Sequence, residues 1–254
     1  RPPHTRRRRQ RQMCIRDSCI MKVAITFIGT NKYLDFLPRY YENIKEYFLP
    51  NTEKIFLVFT DGDGDFPDDV KVFKQEHLEW PYITLERFRI INKAREVIKE
   101  CDYLVFIDAD ALVVDTITEE EFFTDKPLYG VHHPCHFLGM NPHDKLPGAF
   151  ETNESSLAAL DLEKYQPQVY YQGCFWGGKV PEVCAMIDEL ENRVDDDLKR
   201  HIVAVWHDES HINRFFIENQ DKVHTFGPEF AFPEVFKEHC DFKPRIIHLA
   251  KDNS

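Results

Sequence analysis

The sequence predicts an α/β fold built on a mainly parallel sheet. Three observations carry this. Strand-length apolar runs alternate with helical patterns through the first 115 residues, the order of βαβ units. An Asp-Ala-Asp motif directly follows one of those runs, where α/β sheets hold their ligands. No repeat, linker or low-complexity stretch interrupts residues 21–254, so one domain is expected there.

Taken in order, Lys22–Ile28 reads as a buried strand. Lys32–Phe48 carries Leu34, Leu37, Tyr41, Ile44 and Phe48 on one helical face, and Pro38 marks a helix start or a bend. Lys54–Thr60 is a second strand, followed by the turn-rich Asp61–Asp69. Thr84–Glu100 reads as one helix with Leu85, Phe88, Ile91 and Ile98 inward. Asp102–Ile107 is a third strand. Pro127–Val131 and Val169–Phe175 are further strands, and the second runs into Trp176-Gly177-Gly178. Between them His132–Ser156 is a polar loop region. Pro181–Arg200 is a helix with Pro at its first position, and Asp208–Asn219 a shorter one.

Composition excludes several classes. The net charge is −12. Residues 1–20 hold seven Arg and one acid, so the remaining 234 residues carry −18. An acidic body disfavours nucleic acid, whose phosphates need Lys and Arg. No apolar run approaches the roughly 20 residues of a membrane span. Residues 1–20 lack the apolar core of a secretory signal. They read as a non-native or disordered leader, with the native start expected at Met21. Beyond them Cys101, Cys135, Cys174, Cys184 and Cys240 form an odd set without C-x-x-C spacing, against a disulfide framework. An intracellular, cytoplasmic protein is expected.

Chemistry is expected beyond the third strand. Asp108 and Asp110 are two carboxylates one residue apart, a hard-oxygen pair able to share Mg²⁺ or Mn²⁺ with phosphate oxygens. An acidic turn would carry the same letters. Asp61-Gly-Asp63-Gly-Asp65 lacks the EF-hand Gly and Glu, since Phe66 and Val72 stand there, and reads as a solvated turn. His132, His133 and His136, with His207 and His211, keep a zinc hydrolase open as the alternative, although the H-E-x-x-H order is broken. Asp208 suits a helix N-cap. Glu209 in the first turn is expected to be held ionised by the helix N-terminus.

Three stretches resemble the family 6 retaining glycosyltransferases, which include blood-group A and B transferases and α-1,3-galactosyltransferases. They are Asp102-Tyr-Leu-Val-Phe-Ile-Asp-Ala-Asp110, Tyr170-Tyr-Gln-Gly-Cys-Phe-Trp-Gly-Gly178 and Ala204-Val-Trp-His-Asp-Glu-Ser-His-Ile-Asn213. Gly130–Pro134 and Gly227–Phe230 match more loosely. The resemblance runs from Met21 to near the C-terminus, and the W-H-D-E-S-H-x-N block is its most specific part.

The resemblance implies a GT-A fold, a nucleotide-binding α/β sheet merged with an acceptor-binding half. It implies transfer of galactose or N-acetylgalactosamine from a UDP-sugar to the 3-hydroxyl of a galactoside, fucosylated or not, with retention. Asp108 and Asp110 would hold Mn²⁺, or Mg²⁺, against the diphosphate. Ile28, Tyr33, Ile83, Arg87, Ala109, Gln172, Gly173, Cys174, Asp208 and Lys251 would complete the donor site. His133, Trp206 and Glu209 would line the acceptor side, Glu209 as the catalytic carboxylate. Some bacterial members replace both D-x-D aspartates with Asn, whereas both are kept here. Phe230-Ala-Phe-Pro233 stands where other members place an acceptor-contacting acid. The lack of an anchor resembles the bacterial or phage-type members. A UDP-sugar hydrolase would share the donor site, and a non-catalytic sugar-binding module would not need the D-x-D and Glu209 together.

Overall fold

Val23, Ala24 and Ile25 are fully buried because both faces of their strand are covered, which explains a run that is apolar without alternation. The structure, a computed structural model, describes residues 21–138, 150–239 and 241–250. The leader, Cys240 and Lys251 lie outside the described residues. The central sheet has seven strands in the order β3-β2-β1-β4-β7-β6-β8. These are β1 (Lys22–Ile28), β2 (Glu53–Thr60), β3 (Val70–Lys74), β4 (Tyr103–Ile107), β6 (Leu128–His132), β7 (Tyr171–Lys179) and β8 (Val223–Phe226). Strands β3, β2, β1 and β4 are parallel, as are β6 and β8. β7 runs antiparallel to both β4 and β6, so the sheet is mostly parallel with one reversed strand. A second sheet orders β5 (Ala111–Val113), β10 (Ile246–His248) and β9 (Phe232–Pro233).

Two apolar cores flank the large sheet. On one face, helices α2 (Tyr82–Leu85), α3 (Arg87–Asn92), α4 (Arg95–Ile98), α8 (Val180–Lys199) and α9 (His207–Glu218) contribute to a cluster holding Phe88, Ile91, Ile187, Leu190 and Phe216 with Trp176. On the other, α1 (Leu37–Tyr47) and the short α5 (Glu119–Phe122) bury Tyr40, Ile44 and Phe122 against Val23, Ile25 and Phe175. Two further single-turn helices, α6 (Pro134–Phe137) and α7 (Leu162–Tyr165), precede β7.

The α/β class is borne out, with local corrections. The expected helix Thr84–Glu100 is three pieces, interrupted at Glu86 and Ala94, both near φ −90° and ψ 12°. Leu85, Arg87, Phe88, Ile90 and Ile91 are all buried, a wider arc than the single apolar stripe of a straight helix. Lys32–Phe48 is a 3-10 turn over Asn31–Phe36 followed by α1, with Pro38 in its first turn. Val169–Phe175 gives way to β7, which continues to Lys179. Gly178 permits this at φ +151°, where a Cβ would lie 2.2 Å from the Pro127 carbonyl oxygen. Strands β3, β5, β8, β9 and β10 are additions to the expected set. They are short, and three of them, β8, β9 and β10, lie outside the regular first half of the sequence.

Candidate active site

The parallel strands β1, β2 and β4 all end on one side, and a cavity of about 250 Å³ opens there, in the place the topology favours for ligands. Six expected donor residues line it: Ile28, Tyr33, Ile83, Arg87, Asp108 and Ala109. Thr30, His77 and Trp80 also line it and were not anticipated. Trp80 is 72% exposed and meets His207 edge-on, with ring centroids 4.8 Å apart. A large exposed aromatic in a polar stretch was the available signal.

The D-x-D turn is fixed by its backbone. Asp108 N–H donates to the Cys174 carbonyl at 3.0 Å, and Ala111 N–H to the Asp108 carbonyl at 3.0 Å. Asp110 is buried. Among the described residues, the one group of His, Cys, Asp or Glu at metal-ligand spacing is Asp108, Asp110 and His248, whose ligand atoms lie within 4.8 Å of one another. The acidic pair fits a hard divalent cation. His248 escaped the sequence reading because it lies 138 residues from its neighbour Asp110.

Among the described residues the histidine-rich segments do not assemble a comparable centre. His132 and His136 pair with each other at 2.9 Å. His211 is fully buried and faces Asp197 at 3.7 Å. Neither gathers a third ligand among the described residues. Asp61 serves its turn by accepting the Asn31 N–H at 3.0 Å.

Arg87 ties the pocket to the second half of the site. It is buried. Its Nη1 donates to the Gly173 carbonyl at 2.6 Å, its Nε lies 3.0 Å from Asp208 Oδ2 and its Nη2 3.7 Å from Asp108 Oδ1. The guanidinium rests 4.4 Å over the Phe106 ring, a cation–π contact. Burial pushes the Asp208 carboxyl up to about 7 although Arg87 pulls it down.

Glu209 is held from two sides. Its Oε2 accepts the Gly173 N–H at 2.7 Å and its Oε1 the Tyr170 hydroxyl at 3.0 Å. Gly173 eases this approach, since a Cβ there would lie a tight 3.1 Å from Glu209 Cβ. The helix begins one residue earlier than expected. Trp206, not Asp208, occupies the N-cap, and His207 follows at φ +53°. Burial works against the expectation that the helix N-terminus holds Glu209 ionised. It pushes the carboxyl up to about 7, outweighing the lowering by the Gly173 and Tyr170 hydrogen bonds.

The remaining expected residues surround this pair. His133 caps α6 by accepting the Cys135 N–H at 3.1 Å. Its ring stands 5.8 Å from that of Tyr170, and burial pushes it down to about 4, so it is neutral. Trp206 Nε1 and Gln172 Oε1 are buried without hydrogen-bond partners among the described residues. Cys174 is buried in the core below. Burial first, then the charges of Asp108, Glu209 and Asp110, raise its thiol well above the ordinary range. Such a concentration of perturbed groups beside a cavity is a mark of functional sites.

Asn213 sets the register between α9 and β7. Its side-chain Oδ1 accepts the Tyr171 N–H at 2.7 Å, and its Nδ2 donates to the Tyr171 carbonyl at 2.7 Å. Removing both partners with Asn213→Leu should cost about 2–6 kcal/mol, since each of the two stranded buried groups costs about 1–3 kcal/mol. Urea unfolding checks this, and a loss below about 1 kcal/mol would mean that water replaces the amide.

The family model for glycosyltransferase family 6 matches residues 15–253. The chain is 29% identical over 226 residues to the O-antigen biosynthesis glycosyltransferase WbnI of Escherichia coli, covering 88% of this chain and 93% of that protein. It is 27% identical to histo-blood group ABO system transferase 2 of Rattus norvegicus, over 84% of this chain and 64% of the relative. It is 26% identical to globoside alpha-1,3-N-acetylgalactosaminyltransferase 1 of Mus musculus, over 84% and 62%. The chain thus spans slightly under two thirds of the rodent relatives. Among the described residues no helix is long and apolar enough to cross a membrane. With the D-x-D turn, the Tyr170–Gly178 strand and the Trp206–Asn213 block drawn into one site, and a family match that runs through all three, the chain belongs to glycosyltransferase family 6.

Proposed function

We propose that the chain transfers galactose or N-acetylgalactosamine from UDP to the 3-hydroxyl of a galactoside, with retention of configuration. The carrying observation is the pinning of Glu209 between Tyr170 and Gly173, whose carbonyl is bonded by Arg87 in the wall of the cavity that Asp108 also lines. The globoside relative is named for an α-1,3 linkage, which supports this reading.

In this reading Ile28, Tyr33 and Ile83 receive the uridine end of the donor, and Arg87 and the D-x-D turn face its diphosphate. Asp108 and Asp110 would hold Mn²⁺, or Mg²⁺ in its place, which when bound offsets the charge of the departing diphosphate. Gln172, Gly173 and Asp208 flank the transferred sugar, with Cys174 in the core behind them, and the family resemblance gives Lys251, which lies outside the described residues, a contact to the diphosphate. Glu209 faces the anomeric carbon and attacks it or stabilises its positive charge. His133 and Trp206 border the acceptor, and the unpartnered indole Nε1 of Trp206 is a donor for a sugar hydroxyl.

The test is UDP release from UDP-Gal and UDP-GalNAc with Mn²⁺, with and without plain and fucosylated galactosides. Release should rise at least about tenfold when an acceptor is added, and excess chelator should abolish it. Equal release without acceptor would make the chain a UDP-sugar hydrolase. Full activity in chelator would remove the metal from the reading.

A further inference from the structure

His248 is the last residue of β10 and is 9% exposed. Its position is set by backbone pairing and not by any ligand. His248 pairs with Ala111 and Ile247 with Leu112 across the β5–β10 ladder, and the next residue, Leu249, donates its N–H to the Asp110 carbonyl at 3.1 Å. The imidazole Nδ1 lies 3.2 Å from Asp110 Oδ1. The other ring nitrogen, Nε2, is buried and has no hydrogen-bond partner among the described residues.

Neighbouring ligands of an octahedral divalent ion, with bonds near 2.1 Å, stand about 3 Å apart. The Nδ1–Oδ1 separation meets that spacing, and Asp108 brings the third ligand atom within 4.8 Å of both. A buried imidazole with one nitrogen on a carboxylate and the other unpartnered is an incomplete polar group. A cation at Nδ1 would take that nitrogen's lone pair, with the ring proton on Nε2, the neutral tautomer in which imidazole ligates metals.

We propose that His248 is a third protein ligand of the divalent cation, so that the site takes up its metal without nucleotide. This rests on the reading that Asp108 and Asp110 hold a cation, and adds a nitrogen donor to it. Two carboxylates alone leave most of the shell to water and phosphate. A third, preorganised ligand raises affinity before the donor arrives. Nitrogen ligation also favours Mn²⁺ over Mg²⁺, which prefers all-oxygen shells. A consequence follows for the chain: the cation fastens the C-terminal strand β10 to the D-x-D turn.

The experiment uses the untagged full chain, free of nucleotide, titrated with Mn²⁺ and followed by electron paramagnetic resonance. One Mn²⁺ should bind per chain, with a directly coordinated nitrogen visible in pulsed spectra. That coupling should change isotope signature in protein grown with ¹⁵N-histidine. His248→Ala should abolish the coupling and weaken Mn²⁺ binding by about tenfold or more. The combined His132→Gln and His136→Gln variant should keep the coupling, which excludes that histidine pair, and His248→Gln, of similar size and without an imidazole, should lose it even if His248→Ala fails to fold. Bound Mn²⁺ without histidine coupling, or coupling lost in the His132/His136 variant, overturns the role of His248 and leaves the carboxylate site standing. No Mn²⁺ binding with or without UDP overturns both readings.

Discussion

Glu209→Gln should lower turnover by about a hundredfold or more, the scale on which preorganised electrostatic groups act at a transition state. The replacement is nearly isosteric. Gln can still accept the Gly173 N–H that Glu209 Oε2 accepts at 2.7 Å, and the Tyr170 hydroxyl can rotate to accept from the new amide. Folding and donor binding should therefore persist, and the loss should appear in turnover. Thermal unfolding and UDP-sugar titration provide the controls. Retention of more than about a tenth of turnover, less than the ~1.4 kcal/mol that one decade represents, would return Glu209 to an ordinary first-turn acid. Azide added to Glu209→Ala separates the two roles. A glycosyl azide product identifies a nucleophile, and its absence favours same-face attack with Glu209 stabilising charge.

Arg87→Met should cost about 3–5 kcal/mol of stability, the range found when one member of a buried ion pair is removed. For a chain of this size that is a fall in melting temperature of roughly 10 °C. Methionine keeps the apolar stem over Phe106 but leaves Asp208, Asp108 and the Gly173 carbonyl without the guanidinium that they share at 3.0, 3.7 and 2.6 Å. Asp208 can relieve part of the cost by taking up a proton, since burial already raises it to about 7. This holds the loss toward the lower end. Arg87→Lys should recover only a fraction, because an ammonium cannot present a planar fork to three partners. Guanidinium unfolding measures both. A loss under about 1 kcal/mol for Arg87→Met would show that the site relaxes around its carboxylates.

Parts of the site were legible because they are local in the chain. The D-x-D follows the apolar run of β4 directly, so strand-end placement could be read from adjacency. The Asp208-Glu209 pair precedes a helical pattern, so its first-turn position needed no tertiary knowledge. The broken helix over α2–α4 was not legible. Periodicity reports the mean direction of a segment, whereas the breaks at Glu86 and Ala94 turn a wider arc of it, Arg87 included, into the interior. The small sheet of β5, β9 and β10 was equally hidden, since strands of two or three residues carry too few letters for a period.

By itself the sequence determined the α/β class, the parallel first half of the sheet, and the residue types able to carry charge-based chemistry at strand and helix ends. Strand runs, helical faces and motif spacing are short-range properties, and the backbone geometry that follows from them is largely independent of context. Tertiary structure decided the rest. It brought His248 to Asp110 across 138 residues, set Arg87 among Asp108, Gly173 and Asp208, and raised Glu209 by burial where its helix position alone predicts a stable anion. Convergence of distant residues and the loss of solvent around a charge both arise from packing, and no spacing along the chain encodes them.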